Sequence, residues 1–352
     1  MKAKKLVALS LVAAMVGTTL IGCGGKKDDA AAEGTKTDSS AAADTDNGDA
    51  ITFQIGFVDP DNSPYARGGQ AVAEAVEKAT DGKIKINVVA GGALGGERDM
   101  LELAMGNNLD IATVANSVLT NFIPEMAILD QAYLWDNIEQ AHAAVDGPVG
   151  DLIEAAAEKQ GFHVIGYMES GFRNVFSKDP IESIDDFKGV TIRTMENKYH
   201  QAAFTSFGAM PVAMAAGDQF TALQQGTIDA CENAICNCWN NGFYEVTKNI
   251  TRSNHAFVYI MLCMSDAAWN KIPEDMRDTF LAAVQEGCNT ERQYLVEENE
   301  EAEKKLEGEG VTFHDIDTAA LKAAYEAEAQ KQGFTFDAAW EKAVEDAKAS
   351  VK

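Results

Sequence analysis

The chain has 352 residues and a formal net charge of −26, from 55 Asp and Glu against 29 Lys and Arg, and 46% of it is hydrophobic. That excess of acid argues against nucleic acid and against direct docking on anionic lipid. The length suffices for two lobes with a sizeable core.

In chain order, Lys2, Lys4 and Lys5 precede an uncharged apolar run from Leu6 to Leu20. The run is too short to span a bilayer comfortably and has the layout of a signal peptide over 1–22. It ends in Leu20-Ile21-Gly22-Cys23, which looks like a bacterial lipobox, so Cys23 is the expected lipidation site. Loss of the three lysines takes the charge from −26 to −29. Residues 23–50 then form a tether of Ala, Asp, Gly, Ser, Thr and Lys, with nothing to offset the entropy of ordering.

Alternation at Ile51, Phe53, Ile55 and Phe57, and again at Ile84, Ile86 and Val88, predicts strands. Helical spacing predicts helices over 66–79 and 97–105, before a strand over 110–114. Strand alternating with helix points to α/β lobes with a largely parallel sheet. Further strands are expected over 163–168 and 190–194, and helices over 199–207 and 220–225. One helical pattern runs from Pro273 to Leu306 with an apolar stripe through Phe280, Val284 and Leu295, and is expected to lie across both lobes.

Little in the chain reads as catalytic. The cluster Gly91-Gly92-Ala93-Leu94-Gly95-Gly96 lacks the Lys-Ser/Thr of a phosphate loop, and Glu97 puts a negative charge where a phosphate would sit, so a structural turn is expected. Cys231, Cys236 and Cys238 lack paired knuckles and a histidine at ligand spacing, and read as small buried hydrophobes rather than a metal site. Arg193 alternates with apolar residues in a covered strand. A charge there needs a partner, either a protein carboxylate or a ligand.

The stretch from Gly171 to Tyr244 resembles the DctP-type solute receptors of TRAP transporters. The resemblance rests on Ser170-Gly171-Phe172-Arg173, on Lys188-Gly189 with Ile192-Arg193, and on Ala222-Leu223-Gln224-Gln225-Gly226 with Asp229 through Asn233. Leu94-Gly95-Gly96-Glu97 matches a family turn, and the likeness extends more loosely over the whole mature domain. Ala230 and Ala234 stand where family members carry glycine and proline.

The resemblance implies a two-lobed periplasmic-binding-protein-like clamp that catalyses nothing, needs no cofactor or metal, and works with membrane permease subunits. It implies that Arg193 pairs with a ligand carboxylate while Arg173 and Asn233 assist. Arg193-Thr194-Met195-Glu196-Asn197 resembles the members associated with sugar acids, so Glu196 and Asn197 are expected to meet hydroxyl groups. Trp239 or Phe172 is expected to stack on the sugar, with a C4-dicarboxylate as the alternative ligand. The expected lobes are 51–170 plus 259–298, and 171–258 plus 299–352. A secreted sugar-acid enzyme and an adhesin are the rivals from other classes. The first lacks a nucleophile or an acid/base pair; the second is disfavoured by the α/β pattern.

Overall fold

The computed structural model describes residues 50–351. The expected signal peptide, Cys23 and the tether up to residue 49 lie outside the described residues. Among the described residues, eleven strands form two mixed sheets. In chain order they are β1 (Ile51–Gly56), β2 (Ile84–Val89), β3 (Ile111–Ala115), β4 (Phe162–Phe172), β5 (Asn174–Ser177), β6 (Thr191–Thr194), β7 (Met210–Ala213), β8 (Ala230–Asn233), β9 (Asn249–Arg252), β10 (Phe257–Ser265) and β11 (Thr312–Asp315). The first sheet has the order β2-β1-β3-β10-β4, and the second β11-β9-β5-β8-β6-β7.

Strands β1 to β3 pair in parallel through helical crossovers, as the alternating pattern predicted. The sheet is less parallel than expected, because β10 runs antiparallel to both β3 and β4. The cause is connectivity. Strand β4 carries the chain out of the first sheet and straight into β5 of the second, whereas β9 feeds β10 on the way back. At the exit the register slips between Val258 and Tyr259, opposite Gly171, whose φ of +70° turns the strand.

The long helix is present as Arg277–Gly308, preceded by a short 3₁₀ turn, Glu274–Met276. It packs on the helix Pro64–Ala79 and on β4, then on the helix Ile235–Asn240 beside the second sheet. Close approach depends on Gly287, where a Cβ would sit 2.4 Å from the Val72 Cα. One apolar cluster follows this helix from Phe53, Val72 and Val284 to Leu295, Ile250 and Leu306. A second lies under the helices Ile138–Val145 and Pro148–Lys159, and a third under Lys198–Phe207.

The C-terminal segment divides. Helix Thr318–Gln332 packs on Lys198–Phe207, but helix Ala338–Ser350 packs on Ile138–Val145 and Pro148–Lys159. Residues 299–352 are thus not all packed with the second sheet, although the expected lobe bounds require it. Trp340 and Val344 instead fill the cluster beneath the first sheet. No helix among the described residues is long and apolar enough to cross a membrane.

Candidate functional site

Between the sheets lies a cavity whose walls come from both halves. On the first-sheet side, Asp59 follows β1, Glu97 opens the helix Glu97–Met105 after β2, and Tyr65 belongs to Pro64–Ala79. On the second-sheet side stand Arg193 of β6 and Asn233 of β8. Arg173 occupies the single residue between β4 and β5, so it enters from the crossing itself.

The two arginines are held differently. Arg173 donates from Nε to Glu232 Oε2, from Nη2 to the Glu232 carbonyl at 2.6 Å and from Nη1 to Asn233 Oδ1 at 2.8 Å. Glu232 is fully buried and also meets His255 Nε2 at 3.3 Å. Burial alone would raise its carboxyl, but the Arg173 charge and these bonds hold it well below the usual range. Glu232 is therefore a committed counter-ion for Arg173. Arg193 donates only Nε, to the Met214 carbonyl at 2.8 Å. Its Nη1 lies 3.7 Å from Glu232 Oε1, and neither outer nitrogen hydrogen-bonds a protein group among the described residues. The sequence left two partners open for Arg193. The protein carboxylate nearby is already claimed, and a bidentate fork remains turned to the cavity.

Asn233 is oriented by its neighbours. Its Oδ1 accepts from Arg173 Nη1, from Asn237 Nδ2 at 2.8 Å, from Ser170 Oγ at 3.2 Å and from the Ala234 amide at 2.9 Å. With the oxygen saturated, the amide N–H groups are left toward the cavity. Asn237 Nδ2 also reaches Tyr65 Oη at 2.7 Å, and Tyr65 donates to Ser170 Oγ at 3.0 Å, so one network spans both halves.

The facing wall is acidic. Burial raises the Asp59 carboxyl to about 6, against a bond from Asn241 Nδ2 at 3.4 Å and the Arg173 charge. Burial and then the Asp59 charge raise Glu97 to about 7, while Arg193 pulls it back. The site thus sets an open guanidinium and amide donors against two carboxyl groups that are costly to ionise.

The remaining expected residues fall elsewhere. Asn197 caps the helix Lys198–Phe207 and donates Nδ2 to Asp130 at 2.7 Å and to the Ser117 carbonyl at 3.0 Å, a contact away from the cavity lining. Glu196 is exposed on an adjoining recess lined also by Arg98 and Arg193, and its carbonyl accepts from Asn121 at 3.1 Å. Trp239 does not reach the cavity. Its ring is stacked on Tyr244 at 5.0 Å, with the Lys305 ammonium 5.4 Å above it. Phe172 points to the opposite face of the crossing strands. Asp59, Tyr65, Ser170 and Gln219 line the cavity without having been singled out. Asp59 and Glu97 could have been found by position, since both follow the carboxyl ends of parallel strands. The glycine cluster is a turn, with Gly91, Gly92 and Gly95 at positive φ, and all five described cysteines are buried. No group of metal-ligating side chains is assembled among the described residues.

The profile of bacterial extracellular solute-binding protein family 7 matches residues 55–334. This chain belongs to that family. A solute-binding protein of Verminephrobacter eiseniae is 32% identical over 288 residues, covering 81% of this chain and 84% of its own. The 2,3-diketo-L-gulonate-binding periplasmic protein of Escherichia coli is 28% identical, covering 71% and 77%. A TRAP periplasmic solute-binding protein from Citrobacter koseri, solved with bound D-glucuronate, is 29% identical with a TM-score of 0.79, over 86% of this chain and 99% of its own. The chain is a TRAP-type extracytoplasmic solute receptor and not an enzyme.

Proposed function

We propose that this receptor takes a sugar acid of the hexuronate or keto-gulonate type and passes it to the membrane permease of a TRAP transporter. The observation that carries the ligand class is the asymmetry of the cavity. Arg193 offers one open fork for one carboxylate, with Asn233 beside it and Arg173 fixed by Glu232 as the residue that orients Asn233. Across from them, Asp59 and Glu97 can accept hydrogen bonds from hydroxyl groups, which suits a polyhydroxy chain or ring. A second ligand carboxylate would face those two acids in a site of reduced dielectric, which disfavours a C4-dicarboxylate. The D-glucuronate and diketogulonate bound by the relatives support the same class.

A thermal-shift panel tests this reading. A ligand at about 100 times its dissociation constant stabilises by about 2.7 kcal/mol. D-glucuronate, D-galacturonate or 2,3-diketo-L-gulonate should raise the melting temperature more than malate or succinate. A large shift with malate or succinate and none with the sugar acids overturns the ligand class.

The anchor is part of the proposal and rests on Leu20 through Cys23 alone. Cys23→Ser should release the chain from the membrane fraction and abolish labelling by a fatty-acid probe. Membrane retention with labelling intact would refute lipidation at Cys23.

A further inference from the structure

The strands that cross between the halves have a second face. Ser170, Arg173, Val258 and Ile260 look into the acid cavity. Phe172 precedes Arg173 and Phe257 precedes Val258, and the bulge at Ser170 and Gly171 resets the alternation along the first strand, so both phenyl groups turn the other way, with their rings edge-on at 5.2 Å. Behind them lies a separate cavity of about 420 Å³, bounded by Tyr133, Trp135, Asp136, Phe172, Asn254 and Lys322. That volume falls in the range of small-molecule pockets, about 300–1,000 Å³.

Its walls also come from both halves. Trp135 is anchored in the cluster beneath the first sheet, whereas Lys322 lies on Thr318–Gln332, which packs against the second. Phe172 and Asn254 belong to the two passages of chain between them. The backbone here is strained: Tyr133 has φ +59° and Asn254 has φ +42°. Left-handed geometry in residues other than glycine is unfavourable and gathers at functional sites. The strain fixes the aromatic wall. Tyr133 donates its amide to the His255 carbonyl at 2.9 Å and its hydroxyl to the Ser253 carbonyl at 3.2 Å, tying its ring to the returning chain.

The charge is equally local. Lys348 lies with its ammonium 5.7 Å from the Trp135 ring, and burial and the neighbouring Lys322 push it below the ordinary lysine range, against the pull of Asp136. Lys322 on the wall and Lys348 behind Trp135 thus bring cations beside three aromatic rings, in a chain whose net charge is −26. Aromatic walls favour a flat apolar body, and the Lys322 ammonium can pair with a negative end.

We propose that this rear cavity is a second ligand site, which takes a planar aromatic monocarboxylate with its ring among Tyr133, Trp135 and Phe172 and its carboxylate at Lys322. Occupancy biases the clamp toward closure. The two cavities lie on opposite faces of the same crossing strands, so opening the front cleft narrows the rear one and expels its occupant. An occupant that binds only the closed form shifts the equilibrium by its differential affinity for the two forms. The site does not depend on which acid the front cleft takes.

Indole-3-acetate is the probe, titrated by calorimetry into the wild-type chain, Arg193→Ala, Lys322→Glu and Ala319→Trp. Ala319 lies on the exposed rim of the rear cavity, so a tryptophan there fills it. The probe should bind wild type and Arg193→Ala alike, weaken about tenfold in Lys322→Glu and be lost in Ala319→Trp, with unchanged melting curves. Binding lost in Arg193→Ala and kept in Lys322→Glu would mean the probe sits in the front cleft. No binding up to about 10 mM would overturn the site outright. Small-angle scattering without any front-cleft ligand reads the second part: the radius of gyration should fall on adding the probe. An unchanged radius at saturation removes the coupling.

Discussion

Replacing Arg193 by alanine separates binding from folding at this site. Arg193 is 3% exposed and presents both outer guanidinium nitrogens to the cavity, so a ligand carboxylate can take two charge-assisted bonds. At about 1.5–3 kcal/mol each, their loss costs about 3–6 kcal/mol of affinity, or roughly a hundred- to ten-thousand-fold in Kd. The fold loses much less. The protein bond removed is the one from Nε to the Met214 carbonyl. Glu232, 3.7 Å away, keeps Arg173 and His255 as partners and is not orphaned. Removing the second guanidinium also relieves a like-charge repulsion, since burial and then Arg173 lower the tendency of Arg193 to hold its proton. Isothermal titration with D-glucuronate at pH 7.5, beside a thermal melt of the unliganded protein, measures both quantities. A folded Arg193→Ala protein that binds within about threefold of wild type would refute the anchor assignment.

Arg173→Ala should do the reverse and unfold the protein more readily. It strips a fully buried Glu232 of its main partner, at about 3–5 kcal/mol, and urea denaturation with a midpoint like wild type would contradict that. Affinity should also depend on pH. The Asp59 and Glu97 carboxyl groups are raised to about 6 and 7, so between pH 8 and 5.5 the wall gains protons and an anionic ligand binds several-fold tighter, by roughly a factor of five. The sign for the unliganded fold is the same, since stability from raised carboxyl groups is full at low pH and is lost as pH rises through 6 and 7. Glu97→Gln should flatten the affinity profile and stabilise the empty protein at pH 8; an unaltered profile would rule Glu97 out as its source. Trp239→Ala should lower the melting temperature while leaving Kd within about twofold, because its ring serves the stack on Tyr244; a tenfold loss of affinity would return it to the site. Gly287→Ala should destabilise by about 1–3 kcal/mol in chemical denaturation, because its methyl group would meet Val72 backbone, and a neutral result would show that the long helix can shift.

The sequence by itself determined the elements whose cause is local. Periodicity with a Gly stop placed Glu97–Met105, and the apolar stripe through Phe280, Val284 and Leu295 announced the long helix to within a turn at each end. A charged residue in a covered strand likewise singled out Arg193, because a buried cation has to be answered by something. Tertiary structure decided whatever depends on which distant residues meet. Only folding assigns Glu232 to Arg173 and leaves Arg193 open, although both arginines look alike in the chain. It also brings Asp59 and Glu97, 38 positions apart in unrelated turns, to one wall, since β1 and β2 pair in register and end together. Glu196, Asn197 and Trp239 show the converse. Nearness in sequence to Arg193 and Asn233 suggested a place in the site, but a cap, an exposed rim and a stack with Tyr244 took them. A motif specifies its backbone, whereas the direction of each side chain is set by neighbours that arrive from elsewhere in the chain, as the four donors gathered on Asn233 Oδ1 show.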